Sequence, residues 1–181
     1  MIVNWAHAWP SATAAFLASL VEFVEALTIV LAVGTVRGWR GALVGAGAAV
    51  AVLLLAVLLL GPLLTDIPLR TVQLVVGGLL LLFGMRWLRK AILRAAGVIP
   101  LHDEEAAFAK ESAALRSLGG GGRWDKVGIA TAFKITLLEG LEVVFIVIAV
   151  GAGGSGLLVP ASLGALAALF VVVLLGVLVH R

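Results

Sequence analysis

The chain has 181 residues, of which 62% are hydrophobic and only 13% charged, and its formal net charge is +3. Its apolar residues are gathered in runs too long for the core of a soluble domain, which excludes a soluble globular protein and predicts a polytopic membrane protein. The chain contains no cysteine, so disulfides and thiolate metal sites are excluded as well.

Five transmembrane helices are predicted from the stretches with few or no charges, because one bilayer crossing needs about 20 apolar residues. In chain order they cover residues 12–36, 42–64, 69–93, 127–151 and 156–179. The predicted fold class is therefore all-α, a polytopic bundle of membrane helices.

The one hydrophilic stretch, residues 95–125, lies between the third and fourth crossings. Asp103 fits an N-cap and predicts a helix that runs to about Leu118. Leu101, Phe108 and Leu115 recur every seven residues, so this helix has a narrow apolar stripe. We expect it to lie along the membrane surface or to dock on the bundle; the alternative is a solvated connector whose charges only mark orientation.

The basic residues predict the orientation of the chain. Arg37 and Arg40 follow the first helix, most of the others flank or lie in residues 95–125, and Arg181 follows the fifth helix. All of these fall on one side of the five-helix arrangement, and the opposite side receives only Arg70. By the positive-inside rule the N-terminus is outside and the C-terminus inside a cytoplasmic membrane. The basic pI therefore gives no reason to expect a nucleic-acid partner.

An internal repeat links the first and fourth helices. Displacement by 117 residues aligns residues 15–34 with 132–151, and ten of the twenty positions are identical. Three crossings separate the starts of the two copies, so they are predicted to run in opposite senses, as in the inverted repeats of many transporters. The predicted organisation is a first repeat of three helices at 1–94, an amphipathic cytoplasmic linker at 95–125 and a second repeat of two helices at 126–181.

The fifth helix is predicted to repeat the second, with Leu43 and Val44 aligned to Leu158 and Val159. The third helix then has no counterpart in the second half. We therefore expect the fifth helix to keep an uncovered apolar face, which a second copy of the chain or a partner subunit would cover.

Each copy of the repeat carries two glutamates three residues apart: Glu22 and Glu25, then Glu139 and Glu142. An acid at the centre of a membrane helix costs about 2.5–3.5 kcal/mol, so four of them point to a function. Residues three apart share a helix face, and four converging carboxylates must hold protons, a cation or both. An all-oxygen site suits hard cations such as magnesium, calcium, manganese or iron.

The alternative for these glutamates is a structural scaffold, in which each one hydrogen-bonds a backbone group or one of the hydroxyls of Ser19, Thr28 and Thr136. Lys134, which precedes Glu139 by five residues, has two interpretations as well. It is either a counter-ion within the acidic cluster or a lysine that extends to the membrane surface.

The segment Glu139-Gly140-Leu141-Glu142, with its degenerate copy at Glu22 and Glu25, resembles the oxidase-linked iron permeases. That resemblance implies a permease with its N-terminus outside, whose motif glutamates bind and pass iron. The spacing is also similar to the doubled acidic motif of calcium/manganese–proton exchangers.

We therefore expect a transporter and not an enzyme, with iron or manganese as substrate, no organic cofactor, and all four glutamates as ligands. The alternatives are an exchanger of the calcium/manganese–proton type and a non-transporting membrane subunit with a protonated glutamate scaffold.

Overall fold

The computed structural model describes residues 5–65, 69–98, 104–119, 124–154 and 156–180. Over these ranges the chain forms six α-helices and no β-strand, which confirms the all-α prediction. The helices are α1 (Trp5–Arg37), α2 (Trp39–Thr65), α3 (Leu69–Ala95), α4 (Glu104–Ser117), α5 (Lys126–Gly151) and α6 (Leu158–His180). The helix expected in the hydrophilic stretch is α4, although its expected cap, Asp103, lies outside the described residues.

Three of the described helices are long and apolar enough to cross a membrane: Ala8–Arg37, Trp39–Leu59 and Leu158–Val179. These segments belong to α1, α2 and α6, and they suggest a membrane protein. The charges of Lys134, Glu139 and Glu142 interrupt the apolar sequence of α5. The crossings expected at α3 and α5 stay predictions.

Helix α1 is at the centre of the bundle, where it packs against α6, α5, α4 and α2. Helix α2 packs along α5, and the described part of α3 also contacts α5. Six buried residues of α1 are spaced three, four or seven apart, the period of a helix–helix seam. They are Ala8, Ala15, Ser19, Glu22, Ala26 and Val33. Because most of these side chains are small, neighbouring helices can approach α1 closely.

Two glycines mark the closest approaches between helices. A Cβ on Gly45 of α2 would collide with the carbonyl oxygen of Ile129 in α5, and one on Gly164 of α6 would collide with that of Ala12 in α1. Ile129 and Ala12 are equivalent in the 117-residue repeat, so the two contacts match Gly45 to Gly164.

This match differs from the alignment expected between the second and fifth crossings. It displaces α2 on α6 by 119 residues, four more than the displacement that pairs Leu43 with Leu158. In the new register four alanines of α2 have alanine counterparts in α6. They are Ala42, Ala46, Ala48 and Ala49, matched to Ala161, Ala165, Ala167 and Ala168. The small residues that form the contact, and not the aliphatic pair, define the equivalence.

Helix α4 docks on the bundle and is not a solvated connector. It packs against α1, with Ser112 and Leu115 buried and Phe108 packed on the core. Two members of the expected apolar stripe, Phe108 and Leu115, therefore form the docking face. The third, Leu101, lies outside the described residues.

A buried ion pair joins the ends of three helices. The Arg37 guanidinium, at the end of α1, donates hydrogen bonds to the carbonyl oxygens of Leu115 (3.1 Å) and Gly119 (2.8 Å) at the end of α4. It also donates to Oδ1 of Asp125 (2.9 Å), and its Nε contacts Oδ2 of that carboxylate. Asp125 in turn caps α5 by accepting a hydrogen bond from the Val127 amide. The Arg37 hydrogen bond lowers the pKa of the Asp125 carboxyl.

Helix α6 keeps an exposed apolar face, as the sequence predicts for the fifth crossing. Its outward side chains include Leu166, Phe170 and Val177, and Phe170 is 70% exposed. The buried residues of α6 are small ones such as Ala161, Ala165 and Ala168. The helix therefore contacts the bundle through its alanines and presents its larger side chains outward.

Candidate functional site

The two glutamate helices, α1 and α5, lie side by side and run in opposite directions. A Cβ on Gly128, near the start of α5, would lie 3.3 Å from Cγ1 of Val33, near the end of α1. Eleven residues further along α5 and eleven residues back along α1, Glu139 lies beside Glu22, with one carboxylate oxygen of each within 4.8 Å of the other. Each glutamate therefore meets its own equivalent in the 117-residue repeat.

Three of the four predicted site residues converge. One carboxylate oxygen each from Glu22, Glu25 and Glu139 lie within 4.8 Å of one another. Glu22 is only 5% exposed, and the other two are half-buried. Carboxylates this close together repel one another when all of them are charged. The contact between Glu22 and Glu139 is therefore a place where a proton or a cation must balance the charge.

The fourth predicted residue, Glu142, lies beside this cluster. It is half-buried and close enough to Glu22 to interact electrostatically, but it is not one of the three converging carboxylates. The described structure thus gathers three glutamates and places the fourth next to them.

The three hydroxyl groups that the scaffold interpretation pairs with the glutamates do not share one kind of hydrogen-bond partner. Thr28 Oγ1 donates to the carbonyl oxygen of Val24, within its own helix (3.0 Å). Ser19 Oγ and Thr136 Oγ1 are both buried and have no hydrogen-bond partner in the described part of the chain. Neither hydroxyl therefore makes the glutamate contact that the scaffold interpretation expects of it.

Lys134 does not belong to the cluster. Its side chain is exposed, as expected for a lysine that extends to the membrane surface and not for a counter-ion among buried acids.

The arrangement is suited to binding a hard cation. Carboxylate oxygens are the ligands that calcium, magnesium and manganese prefer, and three carboxylates supply enough charge to balance a divalent or trivalent ion. The three carboxylates come from two different helices, so a change in the spacing of α1 and α5 would change the distances between them.

Sequence reasoning missed the ion pair of Arg37 with Asp125. Arg37 fits the positive-inside pattern so well that no further role is expected of it. The sequence signal that could have revealed it is the position of Asp125 one residue before the start of α5, where a capping carboxylate can also accept a hydrogen bond from a guanidinium.

Comparisons with known proteins add no relative: no protein-family model matches the chain, and no curated protein or solved structure matches it either. The resemblance to the oxidase-linked iron permeases therefore stays a prediction that depends on the motif residues alone.

Proposed function

We propose that this protein is a membrane permease for a hard metal cation, with iron or manganese as the substrate. The observation that supports this most directly is the convergence of Glu22, Glu25 and Glu139 within 4.8 Å on two apolar helices. Buried carboxylates at that separation repel one another unless a positive charge lies between them. A cation that binds there removes the repulsion, and Glu142 provides a fourth carboxylate beside the three.

The proposed transporter has five membrane crossings arranged as an inverted repeat, with the N-terminus outside and the C-terminus inside a cytoplasmic membrane. The contacts between helices support the repeat. If α5 is the counterpart of α1 and α6 is the counterpart of α2, the close packing of α1 against α6 has its own counterpart, which is the close packing of α5 against α2. The antiparallel pairing of α1 with α5 supports it too. Inverted-repeat transporters bind substrate at the interface between their repeats, and Glu22 meets Glu139 at that interface.

The second candidate is a non-transporting membrane subunit whose glutamates form a protonated scaffold. The proximity of Glu22 and Glu139 favours it, because a proton shared between two neighbouring carboxyl groups would remove their repulsion. A cation–proton exchanger combines both ideas, since protons and the cation would compete for the same carboxylates.

Cation-dependent stabilisation separates binding from a pure scaffold. A ligand that binds only the folded protein at 100 times its Kd stabilises it by about 2.7 kcal/mol. We expect Mn²⁺ or Fe²⁺ to raise the melting temperature of the purified protein in detergent, and Glu22→Gln to abolish the increase while the protein stays folded. Glu111→Gln on α4, outside the cluster, removes one charge as well and should respond as wild type.

Uptake into proteoliposomes separates a permease from a subunit that only binds. Vesicles containing the wild-type protein should accumulate Mn²⁺ or Fe²⁺, and vesicles with Glu22→Gln should not. If no cation stabilises the wild-type protein, or if Glu22→Gln and Glu111→Gln respond alike, the scaffold is the better explanation.

A further inference from the structure

The glutamate cluster is accompanied by two equivalent hydroxyl groups. Ser19 and Thr136 are 117 residues apart, and each lies three residues before the first glutamate of its pair. Both copies of the repeat therefore read hydroxyl-x-x-Glu-x-x-Glu. Ser19 is fully buried, the Thr136 oxygen is buried too, and neither oxygen has a hydrogen-bond partner in the described part of the chain.

Helix geometry directs these hydroxyls toward the carboxylates. Residues three or four apart are neighbours on one face of a helix, and Ser19 belongs to the same buried seam of α1 as Glu22. The equivalent seam of α5 contains Ala132, Thr136, Glu139 and Val143. Each hydroxyl is thus one turn from the contact between Glu22 and Glu139.

The antiparallel pairing also places each hydroxyl beside a carboxylate of the other helix. Because Glu22 is level with Glu139, Thr136 is level with Glu25 and Ser19 is level with Glu142. Glu25 itself belongs to the converging group. The hydroxyls therefore lie among the four acids, on either side of the central contact.

A buried hydroxyl without a partner destabilises the folded protein, because it has lost its hydrogen bonds to water, so a position that keeps one needs an explanation. One such hydroxyl could be a local accident of packing. Two of them, at equivalent positions and one turn from the same cluster, indicate a shared ligand.

We propose that Ser19 Oγ and Thr136 Oγ1 are ligands of the transported cation, in addition to the glutamates. This inference rests on the proposed function. Neutral hydroxyls add oxygen ligands without adding negative charge, so the coordination number can reach five or six while the charge stays balanced. Such a site favours a cation that exchanges its waters for protein oxygens, as Mn²⁺, Fe²⁺ and Ca²⁺ do, over Mg²⁺, which keeps several waters.

Hydroxyl removal is the first test, with Mn²⁺ as the probe and binding measured by paramagnetic resonance on the purified protein. Ser19→Ala and Thr136→Val should each weaken Mn²⁺ binding by about tenfold to a hundredfold, as losses of supporting groups around metals do. Thr28→Val is the matched control, because that hydroxyl is bonded to Val24 of its own helix, and it should bind as wild type. Thr136→Ser keeps the hydroxyl, so this variant should bind Mn²⁺ with the affinity of wild type.

Cysteine replacement gives a readout that a purely structural hydroxyl would not change. The chain has no cysteine of its own, so Ser19→Cys and Thr136→Cys each introduce a single thiol. A thiolate prefers soft metals, and we expect Cd²⁺ to displace Mn²⁺ from these two variants at lower concentrations than from wild type or Thr28→Cys.

The outcomes separate this inference from the proposed function. If Glu22→Gln loses Mn²⁺ binding but Ser19→Ala and Thr136→Val bind Mn²⁺ as wild type does, the hydroxyls are not ligands and the permease proposal is unaffected. An unchanged Cd²⁺ preference in both cysteine variants would overturn the inference in the same way. Failure of the wild-type protein to bind any of the cations would overturn both proposals.

Discussion

Replacement of Arg37 by methionine tests how strongly the buried ion pair holds the bundle together. Methionine keeps the apolar stem but removes the guanidinium, which leaves Asp125 charged, buried and without its partner. The carbonyl oxygens of Leu115 and Gly119 lose their donor as well. Removal of one partner from a buried ion pair destabilises a protein by about 3–5 kcal/mol. Since whole domains are stable by about 5–15 kcal/mol, Arg37→Met should remove a large share of the folding free energy.

The assay is thermal unfolding of the purified protein in detergent. For a chain of this length 1 kcal/mol corresponds to a shift of about 2–4 °C, so we expect the melting temperature of Arg37→Met to fall by roughly 6–20 °C. Arg40→Met is the matched control, because Arg40 is exposed three residues further along, and it should change little. The double variant Arg37→Met/Asp125→Asn should lose less than the sum of its single changes, because the two groups act on each other. Equal melting temperatures for Arg37→Met and Arg40→Met would refute this reasoning.

Three further predictions concern pH, packing and topology. The pKa of Asp125 is lowered in the folded protein, so its stabilisation is complete above the ordinary value of 3.8 and is lost as the pH falls through the lower folded value. Asp125→Asn should therefore melt below wild type at neutral pH, with a gap that narrows under strong acid in pH-dependent melts; a constant gap would contradict this. Gly45→Val should destabilise the protein by about 1–3 kcal/mol or more in unfolding measurements, because its side chain meets the α5 backbone. Gly47→Val, with nothing within 4 Å, should not, and equal losses would disprove the close approach. Single cysteines at the exposed positions Ser117 and Gly154 should react with an impermeant thiol reagent from opposite sides of the membrane, and labelling from one side would contradict the inverted repeat.

Helix positions could be predicted from the sequence because they depend on local information. The expected start at residue 69 is the start of α3, and the expected end at residue 151 is the end of α5. The first helix begins at Trp5 and not at residue 12, since Pro10 is accommodated inside α1. Charge-free runs are long and sharply bounded in this chain, which makes them easier to place than contacts.

The residue-by-residue alignment of α2 with α6 in the repeat could not be predicted from the same information. Both helices are almost uniformly apolar, so Leu43 and Val44 align with Leu158 and Val159 as well as with several other pairs. The register that the close contacts indicate depends on where backbones touch, at Gly45 and Gly164, and that is a property of the packed bundle.

The acidic cluster could be predicted from the sequence in part. Repetition of the glutamate pairs predicts that Glu22 and Glu139 come together, because equivalent residues of an inverted repeat meet where its halves meet. The repetition treats Glu25 and Glu142 as equals, but only Glu25 joins the converging group. The two halves differ around the pairs, with Phe23 in one and Gly140 in the other, so the local packing is not symmetric.

The ion pair at the end of α1 also determines how the glutamate helices can move. Arg37 is fifteen residues from Glu22, and Asp125 is fourteen from Glu139, so the cluster lies roughly 20 Å from that joint at 1.5 Å per residue. In the proposed permease, α1 and α5 would separate at the cluster by pivoting about this ion pair. A pivot of about 5° over that lever arm displaces a carboxylate by nearly 2 Å, which is comparable to a metal–oxygen bond of about 2.0–2.6 Å. In that proposal, a tilt this small would change the spacing of the carboxylates enough to decide whether they bind a cation or release it.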